Sequence, residues 1–125
     1  MLRAVLIALG LFALSGTSYA ATEDDFVVVD TDDLVSLCSA TADGPNGVAA
    51  INFCHGYAVG AFQYYQLLEP LSPDHQFICL LDPKPSRNEV IAGFVAWAKA
   101  HPQYSGAAAV ETLFRYLGET YPCKK

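Results

Sequence analysis

Residues 48–68 read VAAINFCHGYAVGAFQYYQLL, and this stretch decides the fold class. It holds no proline, and Ile51, Phe53 or Tyr57, Gly60, Tyr64 and Leu68 recur every three to four positions, the period of one helix face. The spacing predicts a long buried helix. Gly56 and Gly60 fall four apart on one side of it. Each glycine costs a helix about 1 kcal/mol relative to alanine, so a closely packed neighbour on that side is the expected compensation. Asn52, His55, Gln63 and Gln66 argue against reading the glycine pair as a contact between membrane helices.

Working upstream, Asp43-Gly44-Pro45-Asn46-Gly47 is dense in turn formers. Before it, Thr31 offers a helix N-cap followed by Asp32 and Asp33 in the first turn, where the helix dipole favours carboxylates. A first helix is expected from about Asp32 to Ser39. Phe26 to Val29 suits a brief extended segment, and Ala21 to Asp25 a frayed acidic end. The aspartates between Asp24 and Asp33 do not form a calcium loop, because Leu34 falls on a ligand position and no glycine follows in place.

Downstream, Pro70, Pro73, Pro83 and Pro85 interrupt residues 69–85 and predict an irregular loop, pinned in its middle by Cys79. Ser86-Arg87-Asn88-Glu89 is a capping box opening a third helix, with Val90, Ile91, Phe94, Trp97 and Ala98 at helical period and an end near His101-Pro102. A fourth helix is expected over 106–120, with Val110, Leu113, Phe114 and Leu117 on one face. The whole reads as an all-α, disulfide-stapled four-helix domain over residues 32–123, behind a signal peptide at 1–20 and a flexible acidic arm at 21–31.

The signal peptide reading rests on three features. Arg3 supplies the positive end, Ala4 to Leu14 is an apolar run of eleven residues, and Ser18-Tyr19-Ala20 ends on small residues suited to cleavage after Ala20. A membrane-spanning helix needs about 17 to 25 apolar residues, and Ser15 to Ser18 cut the run short. No cysteine lies near the cleavage site to carry a lipid.

Export places Cys38, Cys54, Cys79 and Cys123 where disulfides form and persist. Zinc is disfavoured, since the cysteines stand 16, 25 and 44 positions apart with only His55 nearby. The favoured pairing is Cys38 with Cys54 across the first helical hairpin, and Cys79 with Cys123 across antiparallel third and fourth helices. The runner-up is Cys38 with Cys123 and Cys54 with Cys79.

The chain of 125 residues carries 7 Lys+Arg against 13 Asp+Glu, a formal charge of −6 that becomes −7 when Arg3 leaves with the signal peptide. That balance excludes a nucleic-acid binder, which needs a cationic footprint. No phosphate-binding glycine loop, nucleophile elbow, HExxH helix or CxxCH haem site occurs. The expectation is a protein that is not an enzyme and that uses no cofactor and no metal.

Four segments in order carry a family likeness: Cys54-His55-Gly56-Tyr57-Ala58-Val59-Gly60, Ile78-Cys79-Leu80, Phe94-Val95-Ala96-Trp97-Ala98-Lys99-Ala100-His101-Pro102, and Tyr121-Pro122-Cys123. Over about Asp32 to Cys123 the chain resembles the Rap/Tai immunity proteins of type VI secretion. It departs from their usual pattern at Ala61-Phe62-Gln63, where an acidic residue is common, and at Leu81-Asp82, where a proline is commoner. The resemblance implies a small periplasmic helical protein, often a homodimer, that binds and blocks a peptidoglycan amidase toxin and performs no catalysis. A periplasmic stress chaperone, or an orphan binding protein of the same fold, is the alternative. The residues expected to meet a partner are Asp74, His75, Gln76, Phe77 and Asp82, on the proline-stiffened loop, with Phe77 equally readable as a core residue beside Cys79.

Overall fold

The computed structural model describes residues 20–124; the signal peptide reading at 1–20 falls almost entirely outside them. Four helices follow in order: α1 (Thr31–Cys38), α2 (Gly47–Leu68), α3 (Arg87–Ala100) and α4 (Ala109–Thr120). Short 3-10 turns occupy Asp24–Val27, Glu69–Leu71, Pro73–His75 and Pro102–Tyr104. The described residues contain no strand, only two isolated bridges, Asp30 with Ala108 and Ile78 with Pro122. No described helix is long and apolar enough to cross a membrane.

α1 begins one residue earlier than the sequence suggests. Asp30, not Thr31, is the N-cap: its Oδ1 accepts the Asp33 amide at 3.1 Å, while Asp33 Oδ2 accepts the amides of Val29 and Asp30 at 2.8 and 3.2 Å. Thr31 is buried instead, because tertiary contacts claim its hydroxyl. That hydroxyl donates to the Ala107 carbonyl at 3.0 Å and shares a 2.8 Å hydrogen bond with the Thr112 hydroxyl. The start of α1 is thereby tied to the start of α4, and the two buried threonines satisfy each other.

α3 opens on the expected capping box, with Ser86 Oγ accepting the Glu89 amide at 3.2 Å and Glu89 Oε2 accepting the Ser86 amide at 2.7 Å. The Ser86 side chain and backbone hold the Glu89 carboxyl below its ordinary range. α4 starts at Ala109, three residues later than the expected start, after the turn at Pro102–Tyr104. It buries Ala109, Thr112, Leu113, Tyr116 and Leu117, spaced as one helix face. Val110, expected on that face, is exposed, and Phe114 is half-buried.

α1 touches each of the other three helices, so it forms the hub of the domain. One core cluster gathers Leu34, Ile78, Phe94, Leu113 and Leu117, among others; a second gathers Ala21, Leu37, Ala50, Cys54 and Ile91. Cys38 pairs with Cys54, joining α1 to α2, and Cys79 with Cys123, joining the long loop to the C-terminal segment.

Three expectations change here. The segment read as a loose arm over 21–31 is packed: Ala21 sits in the second cluster, and a 3-10 turn replaces the extended stretch expected after Phe26. Second, α2 is mostly a surface helix, with only Gly47, Ala50 and Cys54 buried. Third, Gly56 and Gly60 meet no neighbour; a Cβ built on either finds nothing within 4 Å. The cause is common to the last two: α2 packs on α1 and lays Tyr57, Ala58, Ala61, Phe62 and Tyr65 against the main core, and Gly56 and Gly60 fall on its other, outward side.

Candidate functional site

The segment between α2 and α3 starts with its prolines. Pro70 and Pro73 each sit in the first turn of a 3-10 helix, where a missing N–H is tolerated and a fixed φ helps. These turns fold residues 69–77 into a lobe, closed by Gln76 Nε2 donating to Glu69 Oε1 at 3.3 Å.

The chain is then drawn back to the body at residues 77–79. Tyr65 Oη, on α2, accepts the amides of Phe77 and Ile78 at 3.0 and 3.1 Å. The Cys79 amide donates to the Tyr121 carbonyl at 2.8 Å, and Ile78 is buried in the main core. The Cys79–Cys123 disulfide fixes the same point covalently. Beyond it, Leu81 and Asp82 are exposed in a second lobe, where the Asp82–Pro83 peptide is cis.

All five residues singled out from the sequence are therefore exposed. Asp74, His75, Gln76 and Phe77 are brought together on the first lobe, while Asp82 stands on the other side of the pinned segment. Phe77 packs against the body of the domain, as its reading as a core residue expects. Its ring lies 5.3 Å from that of Tyr65 and 6.4 Å from that of Phe114, and a Cβ on Gly118 would come within 2.9 Å of it. Even so, Phe77 is 45% exposed.

Sequence reasoning missed the apolar surface beside this lobe. Tyr64, Leu67 and Leu68 at the end of α2 and Leu71 at the start of the loop are all exposed, Leu71 at 75%. A contiguous patch of this kind marks an interaction surface more often than scattered single residues do. Its signal was present, because α2 carries apolar side chains over more of its circumference than one packed face needs, its polar Asn52, His55, Gln63 and Gln66 taking only one stripe.

A cleft of about 240 Å³ opens between α2, α3 and α4. Phe62, Ile91, Leu113 and Leu117 line its apolar floor, and His55 and Arg87 stand in its wall. It exists because α2 docks on α1 while standing away from the other two helices.

At the far end of α3, Trp97 and His101 stack with ring centroids 4.1 Å apart, and Tyr104 stacks on Trp97 at 5.7 Å. His101 Nδ1 lies 2.7 Å from the Trp97 carbonyl, which can only accept, so Nδ1 carries the proton. Trp97 Nε1 donates to Glu119 at 3.0 Å. These bonds stop α3 and orient it against α4, a structural part for the Trp-x-x-x-His-Pro segment.

The loop thus holds polar groups and one aromatic ring on a fixed backbone, beside uncovered apolar side chains. No curated protein and no solved structure matches the chain. The model of the Rap1a immunity proteins matches residues 30–123, from the N-cap of α1 to the last disulfide cysteine, so that all four helices and both disulfides fall inside it. The chain belongs to the Rap1a immunity protein family.

Proposed function

We propose that this immunity protein is exported to the periplasm after cleavage behind Ala20, and that there it binds and blocks a peptidoglycan amidase effector of type VI secretion. The observation that carries the reading is the lobe at 69–77. It presents Asp74, His75 and the open edge of Phe77 next to Leu71, and its base is clamped by Tyr65 and the Cys79–Cys123 disulfide. A segment already held in place loses little freedom on docking, so more of its contact energy appears as affinity. Such a projection can occupy an enzyme's cleft without any bond being made or broken on this side. The negative charge of the chain would also speed its encounter with a basic cell-wall hydrolase, in a manner that added salt weakens.

Self-association fits the same molecule. The outward face of α2, with Phe53, Gly56, Gly60 and Tyr64 exposed, is the surface that a homodimer would cover.

The test uses residues 21–125 against any amidase toxin encoded near the gene. Inhibition near one to one is expected, and Asp74→Arg combined with His75→Ala should weaken binding at least tenfold while leaving the melting temperature unchanged. Full inhibition by that double variant would place the contact elsewhere on the surface. Failure of the unaltered protein to bind the toxin would remove the amidase reading.

A further inference from the structure

Ala21 is the first residue after the expected cleavage site, yet it is only 4% exposed. It packs with Leu37, Ala50, Cys54 and Ile91, so the first residue of the processed chain belongs to the core. The next residues are fixed as well. The Thr22 amide donates to Asp25 Oδ2 at 2.7 Å, and the Ser36 hydroxyl of α1 donates to the same oxygen at 2.9 Å. Successive backbone nitrogens are at most about 3.7 Å apart, which keeps the Ala21 nitrogen within about 6.5 Å of that carboxylate oxygen.

The surroundings suit a cation. Ala20 and Ala21 line a cavity of about 780 Å³ whose walls carry three carboxylates, Asp25, Asp32 and Asp33, against one ammonium, that of Lys99. Ser39 also lines it, and Ser39 Oγ is buried with no hydrogen-bond partner among the described residues. A buried hydroxyl without a partner is uncommon and calls for an explanation. A donor arriving in the cavity would supply one.

We infer that the α-ammonium group created at Ala21 by removal of the signal peptide is a structural ligand of this cavity, paired with the Asp25 carboxylate, so that export processing completes the fold. Before cleavage the Ala21 nitrogen is a neutral amide with one N–H. Hydrolysis of the Ala20–Ala21 bond by water sends the new carboxylate away with the leader and leaves an amine. At neutral pH that amine takes up a proton and becomes a cation with three donors. The precursor has neither the charge nor the extra donors. This rests on cleavage after Ala20, which the first arm of the test examines by itself.

The intact mass of the exported protein should correspond to a chain starting at Ala21; another start would overturn the inference. Next, the chain 21–125 is prepared with a free and with an acetylated N-terminus, each also carrying Asp25→Asn. Acetylation should lower the melting temperature of the unsubstituted chain by about 4 °C or more. In the Asp25→Asn background it should lower it by much less, because the partner charge is already gone. An N-terminal Gly-Ser extension, which moves the charge without removing it, should behave like acetylation. Equal melting temperatures for free and acetylated chains would overturn the proposal, as would a loss that persists undiminished in Asp25→Asn.

Discussion

The phenol oxygen of Tyr65 accepts the backbone amide of Phe77 at 3.0 Å and so ties the last turn of α2 to the root of the exposed lobe. The neighbouring Ile78 amide shares the same acceptor at 3.1 Å. Tyr65→Phe keeps the ring contacts with Phe62, Phe77 and Phe114 but leaves two amides without a partner. Stability should fall by about 1 kcal/mol, chiefly for stranding the part-buried Ile78 amide, since the exposed Phe77 amide can turn to water. Hydrogen exchange should accelerate at Phe77 and Ile78 while the amides inside α1 stay protected. Unchanged exchange at these two positions would show that the disulfide alone holds the lobe.

Gly93 on α3 faces Tyr116 on α4 so closely that a Cβ there would collide with the phenol oxygen. Tyr116 is buried and cannot swing aside. Gly93→Ala should therefore destabilise by about 1–3 kcal/mol through overpacking, and Tyr116→Phe in the same chain should recover much of that loss. The phenol itself is pushed up to about 12, chiefly by burial and then by Tyr121. Its neutral form is the one the fold prefers. Stability from this group is thus complete below pH 10, the ordinary value, and is lost as the pH rises through about 12. Absorbance titration should show Tyr116 ionising after the exposed tyrosines.

Gly60 tests the surface of α2. Nothing lies within 4 Å of a Cβ at that position, so the helix-propensity gain of a side chain meets no steric opposition in the folded monomer. Gly60→Ala should stabilise by about 0.5–1 kcal/mol, seen as a rise in melting temperature. A fall would mean that this face is covered in solution, and sedimentation of the same sample would then show the dimer.

These cases separate what the sequence could show from what it could not. Ser86 and Glu89 announce the start of α3 because both halves of a capping box lie within four residues. Asp30 and Asp33 form a box of the same kind at the start of α1, also within four residues; what the sequence hides is the burial of Thr31, whose hydroxyl partner Thr112 lies far along the chain. The disulfide pairing was legible from which helices must be neighbours. The surroundings of Gly56 and Gly60 were not legible for a related reason, since a helix whose apolar side chains cover more than one face does not record which of those faces its neighbours take. The proline-rich loop was visible in composition, and the family in four short segments. The Tyr65 clamp was not, because its partners are backbone amides, which every sequence has everywhere.

The two disulfides should differ in what their loss does. They close loops of 16 and 44 residues, worth about 3 and about 4 kcal/mol in the chain-entropy account. Cys38→Ser with Cys54→Ser should lower the melting temperature without changing exchange in the lobe. Cys79→Ser with Cys123→Ser should lower it further and also release the amides of residues 79 and 123, which now donate to the Tyr121 and Phe77 carbonyls. Similar exchange patterns in the two variants would contradict the separate part assigned to Cys79–Cys123.

Phe77 packs on the domain, and under the proposed function it also anchors the toxin; truncation should separate the two effects. Its ring rests on Tyr65, Phe114 and Gly118, yet 45% of the residue is open to a partner. Removing a fully buried phenylalanine costs about 3–5 kcal/mol, so roughly half of that, about 2 kcal/mol, is expected for Phe77→Ala in the free protein. Half-exposed aromatic rings at the centre of an interface are also frequent energetic anchors. Affinity for the toxin should therefore drop more than tenfold at a temperature where the variant remains fully folded, checked by titration calorimetry beside a circular dichroism melt. The comparison is Gly118→Ala, which keeps the ring but pushes it from below by placing a Cβ within 2.9 Å. If Phe77 is an anchor, that displacement should weaken binding more than it lowers the melting temperature. Loss of stability with no loss of affinity in both variants would assign the ring to the core alone and leave Asp74 and His75 to carry recognition.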